Sequence, residues 1–386
     1  MNFKETADWR FPVPILYGPG RIRILPNILK DYNLKRPLIV TDRNSSELPF
    51  IKEIIKNLNI YGIKNSFFSG ISPNPVDREI IEGKKIYEDG QHDSIIAIGG
   101  GSGMDGGKAI SLVVNKNLNL WDFDNDKPAL TELNEFPPII CIPTTSGTGA
   151  ETESTAMVTN SELGMKQCVW HPNHKPVAAI LDPELTVALP KNLTSWTGVD
   201  ALVHAIEAYS INSLYSVADA MAIEALSLIS QHLPSVVKEP DNINSRGAML
   251  IGSCLAGISF LKGLGLVHAI SHMVGAVYNT QHGLTNAILL PAILKFNEKE
   301  ISHKINRMHF AMYSKNGSSK EFYSKICNLL DELEIPKGLK EINVGDNRIN
   351  ELAQKSLKDA AAVTNPRKAS INELEEIISM SLTNAR

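Results

Sequence analysis

Short apolar runs that each end in a turn-prone group recur through the first half of this 386-residue chain and stop at Asp182-Pro183. Pro37–Asp42 (PLIVTD) and residues 64–69, 93–98, 138–143 and 176–181 have the form of strands buried on both faces. Helical periodicity fills the gaps at 48–58 and 80–89. Strands that alternate with helices need crossover connections, which defines a doubly wound α/β domain, read over residues 1–185. Beyond Asp182-Pro183 the β pattern fades. Residues 193–209, 217–233, 245–261, 264–277, 319–333 and 349–362 read as helices, so 186–386 is expected to be all-helical. The length accommodates two such domains.

Two glycine-rich loops punctuate the first half. Residues 99–108, GGGSGMDGGK, follow a strand and precede a helical run at 109–114. Glycines there let backbone N–H groups approach a phosphate at a helix N-terminus, where the helix dipole favours negative charge. Gly101, Gly103 and Gly106 satisfy GxGxxG, but a Rossmann fingerprint belongs after the first strand. Walker A fails, because Ser102 stands in place of its first glycine and Ala109 follows the lysine. The second loop, PTTSGTGAE at 143–151, offers the hydroxyls of Thr144, Thr145, Ser146 and Thr148 to a ribose or amide, although an ordinary hydroxyl-rich turn accounts for it as well. Asp42 ends an early strand, where a carboxylate binds a ribose hydroxyl and repels a 2′-phosphate, favouring NAD over NADP; an Asx turn or helix cap explains it equally.

Three of the ten histidines, His268, His272 and His282, fall in an apolar, small-residue stretch at 263–291. On a helix His268 and His272 share a face, and a turn at Gly283 could return His282 to it. Buried ring nitrogens need partners, and a metal is the simplest common one. Asp200 and His204 lie at i and i+4 on the 193–209 helix. Asp200, His204, His268 and His282 then form an oxygen and nitrogen set without thiolate, suited to catalytic zinc or ferrous iron. His92, His171, His174, His232, His303 and His309 read as surface residues.

A net charge of −4 without a basic run argues against a nucleic-acid partner. The four scattered cysteines lack CxxC spacing and read as reduced thiols of a cytoplasmic protein. The N-terminus shows no apolar signal-peptide core, and the most apolar stretch, 248–261, is too short to cross a bilayer, so no membrane association is expected.

In order and spacing these pieces resemble the iron-containing (group III) alcohol dehydrogenase family. The pattern GGGSxxDxxK is met at 99–108, TTxGTGxE at 144–151, GxDAxxHxxE at 198–207, and GLxHAxxHxxG…HGxxNAxxLP at 265–291, with YGPG at 17–20 and NPR at 365–367. The likeness covers essentially the whole chain. Gly107 departs from it, standing where the family usually has alanine.

The resemblance implies a dehydroquinate synthase-like fold, with an N-terminal dinucleotide domain, a C-terminal helical metal domain and an active site in the cleft between them. It makes Asp200, His204, His268 and His282 the metal ligands, and His272 a non-ligand beside the nicotinamide, a candidate proton relay. Gly100, Gly101 and Ser102 match the pyrophosphate loop, Thr144, Thr145 and Thr148 the ribose and amide contacts, Lys166 a cofactor-holding lysine, and Asp42 and Asn74 the adenosine side. The implied cofactors are NAD and Fe2+, with Zn2+ as the alternative. The implied activity is hydride transfer between a small alcohol or aldehyde and NAD, in a homodimer or larger homo-oligomer. Apolar Ile258, Phe260, Leu261 and Leu264 favour an uncharged substrate. The alternative, an NAD- and metal-dependent carbon–oxygen lyase of dehydroquinate synthase type, would want several cations around the metal, and Lys262 is the one nearby.

Overall fold

A computed structural model describes residues 13–386. The N-terminal segment read above for a signal lies outside them. The chain forms two compact units. One holds the described residues up to Thr145 together with Ala150–Ala188; the other holds Ser146–Gly149 and Leu189–Arg386.

The first unit is α/β. In chain order it contains β1 (Ile15–Tyr17), α1 (Leu25–Asp31), β2 (Pro37–Asp42), α2 (Pro49–Ile60), β3 (Ser66–Ile71), α3 (Asp77–Asp89), β4 (Ser94–Gly99), α4 (Gly101–Val113), β5 (Ile139–Pro143), β6 (Thr155–Asn160), β7 (Met165–Trp170) and β8 (Ala178–Leu181). Six strands form a parallel sheet in the order β1-β8-β5-β4-β2-β3. Every residue of β2, β4 and β5 is buried, because alternate side chains feed two cores. Leu38, Val40, Ile95, Ala97 and Cys141 join one; Ile39, Ile96, Ile98, Ile140 and Ile142 join the other, with α1 and α2.

The five strands expected from apolar runs are present, shifted by at most a few residues. The β6–β7 hairpin was not foreseen. It is antiparallel, and β6 buries only alternate residues, so its Thr- and Asn-rich sequence lacks a continuous apolar run. Helix α4 begins at Gly101, inside the glycine run, rather than at 109. Gly107 shows why small residues are needed: a Cβ there would lie 2.7 Å from the Ala97 Cβ on β4. Its departure from the family pattern therefore bears on helix–sheet packing.

The second unit is helical: α5 (Lys191–Ser210), α6 (Ser216–Lys238), α7 (Ile243–Ser259), α8 (Leu266–Tyr278), α9 (His282–Tyr313), α10 (Ser319–Glu332), α11 (Ile349–Ser356), α12 (Ala360–Thr364) and α13 (Ile371–Thr383). Helix α5 is buried on nearly all sides over Thr194–Ser210, as expected of a central helix. Helix α9 runs through Pro291, a residue that reads as a helix stop in sequence, and so it was not anticipated. The expected 349–362 helix is two, divided where Asp359 caps α12 by accepting from the Ala361 N–H at 2.8 Å. By length and apolarity alone α6 would cross a bilayer, a candidate that the reading of 248–261 overlooked. Its Ala222, Leu226, Ile229 and Leu233 are buried within the protein.

Candidate functional site

Asp200 and His204 project from α5, His268 and His272 from α8, and His282 opens α9. Asn279 in the left-handed conformation ends α8 and leads into the short turn before His282. The Nε2 atoms of His204, His268 and His282 lie 3.9, 3.7 and 3.7 Å from Asp200 Oδ1. One ligand atom each from Asp200, His204 and His268 falls within 4.8 Å of the others. All three of these residues are buried, and the His204 and His268 rings stack with centroids 4.5 Å apart.

The remaining ring nitrogens are each engaged. His204 Nδ1 faces the Gly147 carbonyl at 3.2 Å, His268 Nδ1 the Glu207 carboxylate at 2.6 Å, and His282 Nδ1 the Ser271 hydroxyl at 3.1 Å. Such partners fix ring orientation and leave Nε2 for a cation. Asn286 reaches into the cluster: its Nδ2 donates to Asp200 Oδ1 at 2.7 Å and lies 3.1 and 3.2 Å from the Nε2 atoms of His268 and His282. Its buried Oδ1 has no hydrogen-bond partner. Three lone-pair atoms thus crowd a single amide, a donor-poor arrangement that suits a divalent cation.

The carboxylate and imidazoles of the cluster shift one another's protonation. Burial acts to raise the Asp200 carboxyl, but His204, His282 and His268 outweigh it and hold it well below the usual range. Burial pushes the His204 imidazole down to about 4 against the pull of Asp200. At His268 burial is overcome by the Asp200 and Glu207 carboxylates, which raise it to about 9. His272 stands apart, its Nδ1 2.8 Å from Asp359 Oδ2 and its ring stacked on His282 with centroids 5.3 Å apart.

In the α/β unit the chain passes from β2 to β3 on one side and to β4 on the other, so the carboxyl ends of β2 and β4 border a topological switch point. This explains a phosphate-type loop that comes late in the sequence: it follows the strand that borders the switch. Gly100 caps α4 without a side-chain bond, leaving first-turn N–H groups for an anion. Ser102 Oγ donates to the Pro73 carbonyl at 2.6 Å. The Thr144 N–H bonds the Gly99 carbonyl at 2.9 Å, and the buried Thr145 Oγ1 lacks a partner. Asp42 forms the Asx-type turn foreseen as an alternative, accepting from the N–H groups of Asn44 and Ser45 and from Ser45 Oγ. Lys166, on β7, donates to Asn74 Oδ1 at 3.2 Å, so two residues implied only by resemblance come together. An uncapped helix start and an orphaned hydroxyl fit a dinucleotide phosphate and its flanking polar groups. Thr148 falls instead in the segment that belongs to the helical unit.

Several residues escaped the sequence reading. Glu207 follows His204 by three positions, although it bonds His268, and Asn286 follows His282 by four, a helical spacing that was available as a signal. Asp359 and the Gly147 carbonyl carried none. Four histidines read as surface residues, His92, His171, His174 and His309, are buried. His92, His171 and His309 bond the carbonyls of Arg36, Leu130 and Lys315, as core histidines do. Lys262 is committed to Asp219 at 2.6 Å. The cysteines are all free, as expected.

This chain belongs to the iron-containing alcohol dehydrogenase family. The profile described as "Iron-containing alcohol dehydrogenase" matches residues 12–183, and that described as "Fe-containing alcohol dehydrogenase family, C-terminal" matches 194–382. The chain is 35% identical over 390 residues to an NAD-dependent methanol dehydrogenase of Bacillus methanolicus, covering 97% of this chain and 100% of that one. It is 32% identical to a lactaldehyde reductase of Escherichia coli strain K12, over 98% of each chain. A crystal structure of a 1,3-propanediol oxidoreductase superposes with a TM-score of 0.93 at 30% identity, covering 98% of this chain and 100% of the other. These relatives interconvert alcohols and aldehydes, and they do not favour the lyase alternative.

Proposed function

We propose that this chain is a metal-dependent alcohol dehydrogenase, or aldehyde reductase, that transfers hydride between a small uncharged alcohol and NAD. The observation that carries the reading is the convergence of three imidazole Nε2 atoms on Asp200, each with its Nδ1 otherwise engaged. Asp200, His204, His268 and His282 would hold Fe2+, or Zn2+ where supply favours it, since this ligand set binds zinc more tightly by the usual order. When bound, the cation supplies Lewis acidity to the substrate oxygen and the nicotinamide supplies the hydride acceptor or donor. The chain's own residues orient and exclude water. Phe260 packs beside His204 with ring centroids 4.8 Å apart, and with the apolar Ile258, Leu261 and Leu264 it would disfavour charged substrates.

Gly100, Gly101 and Ser102 would take the pyrophosphate, Thr144, Thr145 and Thr148 the ribose and amide, and Lys166, Asn74 and Asp42 the adenosine side. With its Nδ1–H donated to Asp359, His272 Nε2 is free to hand a proton to, or take one from, the substrate oxygen. We assign residues 1–185 to the dinucleotide domain and 186–386 to the metal domain. We place the enzyme in the cytoplasm as a homodimer or larger, a state that light scattering on a sizing column measures directly.

Anaerobic metal analysis combined with NADH absorbance on a panel of short alcohols tests the reading. One metal per chain and alcohol-dependent NADH formation support it. Metal and NAD binding without NADH formation from any alcohol, or its consumption by any aldehyde, would return weight to the lyase.

A further inference from the structure

The start of α8 lacks any local cap. Its N-cap is Gly265, without a side chain, and the amides of Gly265, Leu266 and Val267 are all buried. Buried N–H groups at a helix start require acceptors, and here they come from far along the chain. Glu207 on α5 accepts from Gly265 N at 3.0 Å through Oε2 and from Val267 N at 2.8 Å through Oε1. Asn365 Oδ1 accepts from Leu266 N at 3.1 Å. A Cβ on Gly265 would stand 2.6 Å from Glu207 Oε1 and 2.8 Å from Asn365 Oδ1, so only glycine admits this remote cap. Asn365 is held in turn by a reciprocal amide pair with Asn297 on α9, at 3.0 and 2.8 Å. That gives the Asn-Pro-Arg segment at 365–367 a physical task.

The same Glu207 oxygen that accepts from Gly265 also meets His268 Nδ1 at 2.6 Å. The partner of His204 Nδ1 is a carbonyl and that of His282 Nδ1 a hydroxyl, whereas that of His268 Nδ1 is a carboxylate. Charge-assisted bonds of this kind are shorter and stronger than neutral ones, and they raise the basicity of the opposite ring nitrogen.

We propose that Glu207 is a positioning residue of the metal centre, which caps the start of α8 and locks the His268 ring with Nε2 toward Asp200, so that metal affinity depends on a residue that does not touch the metal. This rests on the metal-site reading above.

The test is titration of metal-stripped protein with Co2+ and Zn2+ against a chromophoric chelator, comparing wild type, Glu207→Gln, Asn365→Ala and His268→Ala. Circular dichroism and thermal melting follow folding in parallel. Glu207→Gln is expected to weaken binding roughly 10- to 100-fold, the range for outer partners of metal ligands, and to shift the Co2+ visible bands at unchanged stoichiometry. Asn365→Ala, which removes a cap but not a ring partner, is expected to lower the melting temperature and leave affinity within about twofold of wild type. Equal affinity losses in the two variants, or a wild-type affinity and spectrum in Glu207→Gln, overturn the positioning role. Binding by wild type no tighter than by His268→Ala would instead overturn the metal site itself. Histidine 15N spectra of the Zn2+-loaded wild type provide a readout that needs no variant: the proton belongs on His268 Nδ1, and finding it on Nε2 sinks the proposal.

Discussion

Both units bury a knot of ionisable side chains, and the two are built on opposite plans. In the α/β unit Lys108 is fully buried, 3.3 Å from Asp105 Oδ1 and donating to the Ala150 carbonyl at 2.8 Å, with Glu151 and Glu153 buried nearby. Burial pushes both glutamates up to about 7, with Lys108 pulling the other way. That knot contains its own cation. In the helical unit the described residues place no lysine or arginine on Asp200; its partners are imidazoles and one amide. Converging acceptors around a built-in lysine make an internal ion pair, whereas converging acceptors without one make a binding site for a cation from outside the chain.

The largest effect expected from this contrast is at His268. His268→Ala should lose its metal and lower alcohol-dependent NADH formation by well over 100-fold, beyond the range for outer partners, with the far-ultraviolet spectrum unchanged. Full metal content in that variant, measured by elemental analysis, would erase the distinction between the clusters. Next is His272→Ala, which should retain one metal per chain while turnover falls about 100-fold or more, as for a lost acid–base group; turnover equal to wild type removes the relay.

Lys108→Met probes the other cluster. Removing one partner of a buried pair costs about 3–5 kcal/mol, read as a lower urea midpoint, while the folded fraction should still bind one metal. Coincident loss of metal would merge the two knots into one.

The smallest effect is at Glu151, one of whose carboxylate oxygens is buried without a partner. Its folded value of about 7 lies above the ordinary 4.5. Ionising it therefore costs stability as pH rises above 4.5, and the cost is complete above about 7. Glu151→Gln should melt higher than wild type at alkaline pH, by at most about 3 kcal/mol, and the advantage should vanish as the pH falls toward the ordinary value. A gain independent of pH would show that packing, not charge, governs this position.

Much of this was legible in one dimension. The five apolar strands were, because burial on both faces leaves a continuous hydrophobic run, and the end of those runs at Asp182-Pro183 marked the second unit. Asp200 and His204 were paired by spacing alone, as were His268 and His272. Features resting on weaker local signals were missed. The β6–β7 hairpin alternates with Thr and Asn, α9 continues through a proline, and buried His171 and His174 sit in a Pro-rich loop that reads as surface.

By itself the sequence determined the family, the order of the elements and which nitrogen- and oxygen-bearing side chains share a helix face, since these depend on local periodicity and on motifs only a few residues long. Tertiary structure alone decided which group holds the Nδ1 of His204, His268 and His272. Those groups are the Gly147 carbonyl, Glu207 and Asp359, which lie 57, 61 and 87 positions from the rings they hold. Hydrogen bonds across such separations exist only once the helices have packed.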